Sequence, residues 1–557
     1  MLPIVPILVF LAFFYVFPLL SVLKLSVTEP AIGLDHYERL ATTPIYLKVL
    51  SNTFQIAFIV AVLAVVLGYF IAYLIANIGQ RWSTLLLICV LVPFFTGVIV
   101  RNYAWIFMLG SNGVVNGTLR WLGITSEPIQ LIFNRLGVIV AMVHVLLPYT
   151  VLVLLSVMRG IDKRLLTAAA SLSAGPFTAF RRVFLPLTSA GAGGAFVLVF
   201  VLALAFFVTP AMVGGPAETM LANLIAQQTG LLNWGFAAAL STCLLVASLL
   251  LIWLMQRLFG GLGLVDRSFS AAAPARKRVR EGAIMRRIDR ILDPVWPALP
   301  HAIGGLGLIY LALPILITLP LSVNDAPYLS FPPQGFTWRW YDKFFSDPDW
   351  IEATVNSLKV AALATAITMA LAVPASIAIA RSSSSFVARF AYALILSPLI
   401  LPGIIIAIAV FALLTTLGLT GTITGVALGH VIGCLPLATV VLVAALRSFD
   451  RNLERASLSL GAGPVRTVRL VVLPVVGTAA FSATFFAFLH SFDELLVSLF
   501  VSGVYARTLP KKMWESLEEI DPIIAAVSTL LILVSVAAVL IYGFLGQRKP
   551  RRAGAAR

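Results

Sequence analysis

The sequence predicts an all-α polytopic membrane protein with about twelve transmembrane helices, arranged as two six-helix halves in parallel orientation. Of its 557 residues, 60% are hydrophobic and only 11% are charged, and the mean hydropathy is +1.01. This composition is typical of proteins that cross a bilayer many times. A helix needs roughly 20 apolar residues to span the hydrocarbon core, and uncharged stretches of that length are abundant here. Barrel strands are shorter and alternate in polarity, so helices are predicted.

Each predicted span is a long apolar stretch between polar or charged segments. In order, the spans are 2–23, 52–79, 83–107, 136–158, 184–213, 236–256, 297–322, 355–380, 390–417, 424–446, 474–503 and 522–546. The first apolar run has no basic segment before it, which indicates a first membrane helix and not a cleaved signal peptide.

The distribution of charge predicts the orientation of these spans. If the N-terminus is cytoplasmic, most of the 39 Lys and Arg residues fall on cytoplasmic segments, and most of the 23 acidic residues fall on the other side. Because Lys and Arg set orientation, we expect a multi-pass protein of the bacterial inner membrane with both termini in the cytoplasm. The net charge of +16 is then a topology signal with weak attraction to membrane lipid, and no nucleic-acid partner is expected.

A basic segment with the run SAAAPARKRVREG separates the two halves. The chain is therefore divided into a first half at 1–259, a basic cytoplasmic linker at 260–293, a second half at 294–547 and a basic cytoplasmic tail at 548–557. Since each half has an even number of spans, the halves should have the same orientation and be related by a pseudo-twofold axis along the membrane normal.

One segment occurs twice, at 159–187 and at 447–475. The two copies match at 13 of 29 positions with a constant offset of 288, and each carries five Lys or Arg residues. Both copies lie between the fourth and fifth spans of their half, on the predicted cytoplasmic side. Outside this segment the similarity is faint. The weaker matches pair His144 and Pro148 with His430 and Pro436, and Asn52 with Asn356.

Each copy predicts a compact helix–turn–helix knob. Asp162 and Asp450 are expected to cap a short first helix, because Asp is a preferred N-cap residue. Gly175 and Gly463, each followed by Pro, are expected to end that helix, since Gly suits a left-handed cap and Pro cannot continue the helix. The alternative is an ordinary amphipathic connection at the lipid surface, and the matched Asp, Gly-Pro and Leu-Pro positions argue against it.

The repeated segment resembles the EAA loop of ABC-transporter permeases, Glu-Ala-Ala-x-x-x-Gly followed by Leu-Pro. The resemblance implies a coupling helix that docks into a groove on a separate ATPase subunit. The positions expected at this contact are Asp162, Ala168, Ala169, Ser173, Ala174 and Gly175 in the first copy, and Asp450, Glu454, Ala456, Gly461, Ala462 and Gly463 in the second. The family glutamate is Thr167 in the first copy and Arg455 in the second, and the family glycine is Ser173 in the first.

The flanking spans resemble one branch of these permeases more closely. Segments 93–116, 207–216 and 233–241 are similar to the PotB-like subunit of spermidine/putrescine importers, and segments 397–410, 491–503 and 508–532 look like its PotC-like partner. The resemblance implies two permease subunits fused in one chain, each half having the type I ABC importer fold. It also implies a polyamine cargo such as putrescine or spermidine. Relatives with this pattern move other solutes, so an amino-acid-like compound, a phosphonate or ferric iron are alternative cargoes.

Two groups of residues are candidates for the substrate pathway. Asp493 and Glu494 interrupt an apolar helix, where a carboxylate is costly unless it faces a cavity or a partner, and they suit a polycationic cargo. The alternative is that they pair with nearby Lys or Arg or stabilise a local helix break. Tyr103 and Trp105 offer aromatic faces to ammonium groups. An interfacial aromatic belt next to Arg101 is the alternative for these two.

Other polar residues have less specific interpretations. Trp514 with Glu515, Glu518 and Glu519 forms an acidic outer loop suited to a binding protein or to cations, or an ordinary solvated loop. His144 and His430 lie in apolar helices without a metal-like constellation, so they are predicted to pack and to form hydrogen bonds.

The absence of a phosphate-binding loop bears on the source of energy. The chain contains no G-x-x-x-x-G-K-[ST] sequence, so it is expected to be a transport component and not an enzyme, with no catalytic residues, metal or cofactor of its own. The resemblance implies two copies of a cytoplasmic ABC ATPase that bind ATP and Mg, and a periplasmic or lipid-tethered substrate-binding protein. The two halves would then rock between outward- and inward-facing states.

The alternative class is a twelve-helix ion-coupled secondary transporter of the major-facilitator type. That family usually has a charged Gly/Asp/Arg signature between its second and third helices. Here the corresponding turn is only GQRW at 79–82, which favours the ABC permease.

Overall fold

The computed structural model describes residues 2–258, 283–326, 335–382, 385–517 and 522–547. Throughout these ranges the regular secondary structure is helical, apart from one β-bridge between Asn324 and Phe336. Long apolar segments form helices because a helix satisfies its own backbone hydrogen bonds where no water is available. The prediction of an all-α polytopic fold is confirmed.

The helices of residues 2–258 are numbered in chain order. They are α1 Leu2–Thr28, α2 Asp35–Thr42, α3 Pro44–Asn77, α4 Gln80–Phe95, α5 Val98–Leu109, α6 Val114–Trp121, α7 Arg135–Arg159, α8 Arg164–Ser171, α9 Pro176–Leu204, α10 Val208–Val213, α11 Leu221–Gly230 and α12 Trp234–Leu258.

The numbering continues through the remaining described residues. The helices are α13 Ala283–Leu292, α14 Leu299–Leu321, α15 Arg339–Ser346, α16 Pro348–Arg381, α17 Phe386–Leu399, α18 Gly403–Thr416, α19 Ile423–Arg447, α20 Arg451–Ser459, α21 Pro464–Val475, α22 Gly477–Asp493, α23 Leu496–Val501, α24 Leu509–Glu515 and α25 Ile523–Gln547.

Several predicted spans are broken in the structure. Among the described residues, 8 helices are long and apolar enough to cross a membrane, or up to 11 if each of three sharply bent pairs counts as one span. With α25, these elements correspond in order to the twelve predicted spans. The spans predicted as continuous at 83–107 and 390–417 instead bend by 93° between α4 and α5 and by 102° between α17 and α18.

Proline and glycine explain these breaks. Pro93 and Gly97 flank the first bend, and Pro402 with Gly403 forms the second. Proline removes a backbone donor and glycine weakens a helix, so an apolar run that contains them need not stay straight.

The fifth span of each half was predicted as one continuous helix, at 184–213 and at 474–503, and this prediction was wrong because both spans are interrupted. In the first half, residues between α9 and α10 leave the helix after Leu204. In the second half, Glu494 separates α22 from α23. Each half thus has a broken third span and a broken fifth span.

The chain forms two compact units that do not follow the predicted halves. Unit A comprises Thr43–Asn223 and Val246–Phe336, and unit B comprises Met1–Thr42, Leu224–Leu245 and Thr337–Arg557. The first helix of each half therefore belongs to the unit that holds the rest of the other half. This exchange differs from a division into 1–259 and 294–547.

Side-chain packing and a hydrogen bond explain why α1 belongs to unit B. Ile7, Leu11 and Tyr15 are in one hydrophobic core with residues of α16, α18 and α19, and the Tyr15 hydroxyl accepts a hydrogen bond from Ser397 Oγ at 2.9 Å. In unit A, Leu308 and Leu311 of α14 join the core that α3 and α7 form. Because lipid is as apolar as these side chains, close packing and interhelical hydrogen bonds hold such membrane helices together.

Matched hydrogen bonds show which residues correspond between the halves. Thr53 Oγ1 in α3 accepts from the Leu221 amide at 2.8 Å, and Ser357 Oγ in α16 accepts from the Leu509 amide at 2.7 Å. The neighbouring Asn52 donates to the Ala217 carbonyl, and Asn356 donates to the carbonyls of Tyr505 and Arg507. Asn52 and Asn356 therefore occupy corresponding positions in the two halves, as the sequence predicted.

The two histidines, by contrast, do not correspond. Helices α7 and α19 have 25 residues each, and the offset of 288 that aligns Pro148 with Pro436 places His144 two positions away from His430. Two positions along a helix lie on opposite faces. The match of His144 with His430 was therefore wrong.

Candidate functional site

The two copies of the repeated segment have the same local structure. We call residues 159–187 the first loop and residues 447–475 the second loop. Asp162 Oδ1 accepts a hydrogen bond from the Arg164 amide at 2.9 Å, and Asp450 Oδ1 accepts one from the Asn452 amide at 2.9 Å. Each carboxylate satisfies an amide that the first turn of helix leaves without a partner. Asp450 is the N-cap residue of α20, as predicted, whereas α8 has Lys163 at its N-cap and Asp162 lies one residue before it.

The turn after each short helix is a Schellman motif. Its bonds run from the Ser173 amide to the Ala170 carbonyl and from Ala174 to Ala169, and in the second loop from Gly461 to Leu458 and from Ala462 to Ser457. The left-handed residue is Ser173 in the first loop, with φ of 61°, and Gly461 in the second, with φ of 84°. This is the geometry in which a left-handed residue ends a helix.

The prediction that Gly175 and Gly463 supply the left-handed cap was therefore wrong. Both have extended backbones, with φ of −66° and −68°, and each precedes the first residue of α9 or α21. The left-handed position lies two residues earlier, where the family motif has its glycine. Ser173 adopts that conformation at a cost of roughly 1–2 kcal/mol relative to a right-handed backbone.

Both short helices present an apolar surface. Leu172 is 84% exposed and Leu460 is 88% exposed, and these residues correspond at the offset of 288. Leu165 and Leu453, which correspond at the same offset and lie nearer the start of each short helix, are also exposed. The small residues Ala168, Ala169 and Ala456 were predicted at this surface and the leucines were not, although the leucines have the same spacing in both copies of the sequence. Exposed apolar side chains outside the spans are typical of a surface that binds a partner protein.

The first loop is anchored by residues of the segment that was predicted as a linker. Arg181 donates two hydrogen bonds to Asp289, from Nε to Oδ1 at 2.9 Å and from Nη2 to Oδ2 at 2.6 Å. Asp293 accepts from the Thr178 amide at 3.0 Å and from the Thr178 hydroxyl at 3.2 Å. Such paired bonds between Arg and a carboxylate are strong and directional.

Aromatic packing completes this contact. The Trp296 ring is buried, 4.9 Å from the Phe177 ring and 4.4 Å from the Phe180 ring between centroids. The segment 260–293, predicted as a linker, thus contains helix α13 and Asp293, and these residues hold the first loop.

The second loop is anchored to α16 instead. Arg381 pairs with Glu454 at 2.5 Å, and Arg451 donates to the Ala380 carbonyl at 2.6 Å. Ser457 and Thr467 share a hydrogen bond of 3.0 Å between the short helix and α21. Glu454 therefore faces its own unit, with 18% of its side chain exposed. Arg469, the counterpart of Arg181, is exposed.

Glu494 stabilises the break between α22 and α23. Its carboxylate accepts from the amides of Leu496 at 3.1 Å, Val497 at 2.9 Å and Ser498 at 3.4 Å. A carboxylate at a helix N-terminus satisfies free amides and complements the helix dipole. This geometry favours the alternative of a stabilised helix break for Glu494, while Asp493 is the last residue of α22 and is partly exposed.

A buried histidine lies beside this break. His430 Nδ1 is 2.9 Å from Ser491 Oγ, its Nε2 is 3.1 Å from Ser498 Oγ, and Nε2 is 3.4 Å from Glu494 Oε2. Each ring nitrogen thus has a polar neighbour, which agrees with the prediction of a hydrogen-bonding histidine. Within the described residues there is no group of three or more His, Cys, Asp or Glu side chains that could hold a metal ion.

Tyr103 and Trp105 lie inside unit A. They are 1% and 3% exposed, so the interpretation as an interfacial aromatic belt is wrong. The Trp105 ring is 5.6 Å from His144 and 5.4 Å from Tyr310 between centroids. His144 Nε2 lies 3.1 Å from the Leu311 carbonyl, and the Tyr310 hydroxyl donates to the Val140 carbonyl. These contacts attach α14 to α7.

The predicted acidic outer loop is only partly described. Glu518 and Glu519 lie outside the described residues. Glu515 is 3.4 Å from Arg507, whose guanidinium is also 3.6 Å from Asp349. Lys512 pairs with Asp349 at 3.2 Å. The carboxylate of Glu515 is thus partly neutralised within unit B.

These features define a class of protein. Helical spans in two related sets, broken third and fifth spans, and a matched pair of exposed loops with an EAA-like sequence are those of a permease with two related halves. The sequence comparisons identify the family.

Residues 372–551 match the family model described as "Binding-protein-dependent transport system inner membrane component". A spermidine/putrescine permease protein, PotB of Salmonella typhimurium, is 34% identical over 237 residues, which are 42% of this chain and 82% of that protein. PotC of Haemophilus influenzae is 32% identical over 235 residues, 42% of this chain and 90% of that protein. The putrescine permease PotI of Escherichia coli is 30% identical over 248 residues, 43% of this chain and 86% of that protein.

Among solved structures, the chain resembles a bacterial ABC transporter involved in the import of the polysaccharide alginate. The TM-score is 0.42 at 18% sequence identity, over 46% of this chain and 92% of that one.

The chain belongs to the family of binding-protein-dependent transport system inner membrane components. It is a multi-pass permease component of an ABC importer, and this family is a transport family and not an enzyme family.

Proposed function

We propose that this permease imports a polyamine such as putrescine or spermidine, driven by two copies of a separate ATPase that dock on the first and second loops. The observation that supports it most directly is the pair of loops with one backbone geometry and matching exposed leucines, Leu172 and Leu460. Two equal surfaces suit two copies of one partner.

ATP and Mg would bind to the ATPase subunits, and a periplasmic or lipid-tethered binding protein would deliver the cargo. In this proposal both termini, the first loop and the second loop are cytoplasmic, as the distribution of Lys and Arg indicates. Closure of the ATPase pair would move the two loops and switch the permease between its outward- and inward-facing states.

The names of the relatives support a polyamine cargo, because PotB, PotC and PotI are spermidine/putrescine or putrescine permease proteins. Asp493, which is partly exposed at the end of α22, is the carboxylate that we propose to contact the polycation. The Glu494 carboxylate accepts from three backbone amides at the helix break. Tyr103 and Trp105 are buried, so contact of these residues with cargo requires a different conformation.

The proposal is tested with the full chain reconstituted in nanodiscs with its ATPase and binding protein. We expect ATP hydrolysis to rise when the binding protein carries putrescine or spermidine, and to stay at its basal rate with amino acids or phosphonates. Stimulation by one of those other solutes would reject the polyamine cargo. Ion-gradient-driven uptake by the isolated chain would reject the ABC mechanism.

Replacement of Asp493 by Asn tests the cargo pathway. Loss of one charged interaction with the cargo should reduce polyamine uptake about tenfold, since such an interaction contributes about 1.5 kcal/mol. Asp342→Asn is the control, because Asp342 is an exposed carboxylate on α15. Equal uptake by the Asp493→Asn variant and the control would reject the role of Asp493.

A further inference from the structure

Helix α13 has three distinct faces. Asp289 and Leu292 on the helix, and Trp296 in the turns that follow it, are buried or partly buried on the side that holds the first loop. A second side carries Ile284, Ile288 and Ile291, which are 79%, 37% and 60% exposed, and Val295 in the turns that follow the helix is 51% exposed. A third side carries Arg287 and Arg290, both exposed.

The exposed apolar side chains form one stripe. The spacing of four and three residues between Ile284, Ile288 and Ile291 places them above one another on the helix, and Val295 follows four residues later in the chain. An amphipathic helix with an apolar stripe and flanking basic residues is typical of a helix that lies in the plane of a membrane interface. The side of α13 that carries Asp289 packs against the first loop, so the apolar stripe is a separate and exposed surface of the same helix.

The position of α13 in the chain agrees with a membrane surface. It ends at Leu292, and the membrane span α14 begins at Leu299. Leu306, Ile309 and Leu316 on α14 are exposed apolar residues of that span, at 66%, 58% and 58%. The apolar stripe of α13 is therefore continuous along the chain with a surface that faces lipid.

We propose that α13 is an interfacial helix that binds anionic phospholipid, with the apolar stripe in the acyl region and Arg287 and Arg290 on the headgroups. The cytoplasmic leaflet is negatively charged and attracts basic segments next to a membrane span. Because Asp289 and Asp293 hold Arg181 and Thr178, the same helix connects this lipid contact to the first loop. The inference rests on the cytoplasmic orientation in the proposed function.

The membrane contact is measured with an environment-sensitive fluorophore on Ile291→Cys in the full chain, after Cys89, Cys243 and Cys434 are replaced by Ala. The protein is reconstituted in vesicles of phosphatidylcholine, with or without phosphatidylglycerol. We expect blue-shifted emission and loss of iodide quenching, and both effects should be larger with phosphatidylglycerol. A label on Val465→Cys, which is 82% exposed in the second loop, is the matched control and should report water in both vesicles.

The charge requirement is tested in the same labelled protein. Arg287→Gln with Arg290→Gln should abolish the additional shift that phosphatidylglycerol causes, whereas Arg466→Gln with Arg469→Gln, exposed arginines of the second loop, should leave it unchanged. Blue-shifted emission of equal size in both lipid compositions would reject the anionic headgroup. If the cysteine-free protein misfolds, Ile291→Asp in the native background replaces the label, and unchanged protection of α13 from hydrogen exchange in these vesicles would reject membrane insertion.

Two further outcomes would overturn the proposal. Emission at position 291 equal to that at position 465 would show that the stripe faces water. A blue shift that appears only after the ATPase is added would show that the stripe is a protein contact. These measurements need neither cargo nor ATP hydrolysis, so they can fail while polyamine-stimulated hydrolysis succeeds, and the reverse also holds.

Discussion

The first and second loops share one backbone but are held by residues from different parts of the chain. Both have an Asp whose carboxylate accepts from the amide two residues later, and both have the same Schellman turn. The first loop is held by Asp289 and Asp293, which follow it by more than a hundred residues, whereas the second is held by Arg381 of α16. The docking surface is thus duplicated while its support is not.

The difference shows which parts of a repeated element are constrained. The turn determines how each short helix is presented. Its geometry is the same in both loops, as expected if both bind the same partner. The anchors only fix that helix to its own unit, so any sufficiently strong contact serves. The comparison predicts that anchor variants act on one loop alone.

The largest effect is expected for Asp289→Ala. It removes the two hydrogen bonds that Arg181, whose side chain is 21% exposed, donates to Asp289, and loss of charged hydrogen bonds costs about 2 kcal/mol. Hydrogen exchange followed by mass spectrometry should show faster exchange in residues 176–187. Residues 464–475 should be unchanged, and slower or equal exchange in 176–187 would show that Asp289 does not anchor the first loop.

A smaller effect of opposite sign is expected for Ser173→Gly. Ser173 has a positive φ, and glycine removes a cost of about 1 kcal/mol at such a position. The reciprocal change, Gly461→Ser, should destabilise the second loop by a similar amount. Exchange rates of the amides of Ala174 and Ala462, which close the two turns, measure both effects. The same sign for both changes would contradict the assignment of the left-handed position.

The smallest effect is expected for Glu454→Ala. Arg381 is 37% exposed, and partly exposed ion pairs contribute about 1 kcal/mol or less. Exchange in residues 451–459 should rise slightly, with no change in the first loop. Glu352→Ala, a change at an exposed carboxylate near the start of α16, is the control. An effect larger than that of Asp289→Ala would reverse the order of the two anchors.

Local patterns made much of this structure predictable. The apolar runs predicted the spans, and the paired Asp, Gly-Pro and Leu-Pro positions predicted both loops, because each depends on residues close in sequence. The left-handed residue that ends the short helix was predicted two residues too late in the sequence. Gly175 fits the usual preference for glycine at that position, whereas Ser173 is a residue type that rarely adopts a positive φ.

Long-range contacts were not predictable in the same way. The exchange of α1 and α14 between the units depends on side-chain packing of residues far apart in sequence, such as Tyr15 with Ser397, and leaves no local pattern. The docking of α13 had a partial signal. Ile284, Ile288 and Ile291 recur at helical spacing inside the basic segment, which indicates a helix where a linker was predicted.

The stoichiometry of the ATPase on the permease tests the central claim most directly. In native mass spectrometry of the reconstituted complex, the wild-type chain should carry two ATPase copies. Leu172→Asp or Leu460→Asp should each weaken one copy about thirtyfold, as expected for a central interface residue that contributes about 2 kcal/mol, and together they should remove both copies. Leu122→Asp, a change at an exposed leucine outside the loops, should have no effect. Two copies still bound to the doubly substituted chain would contradict the account.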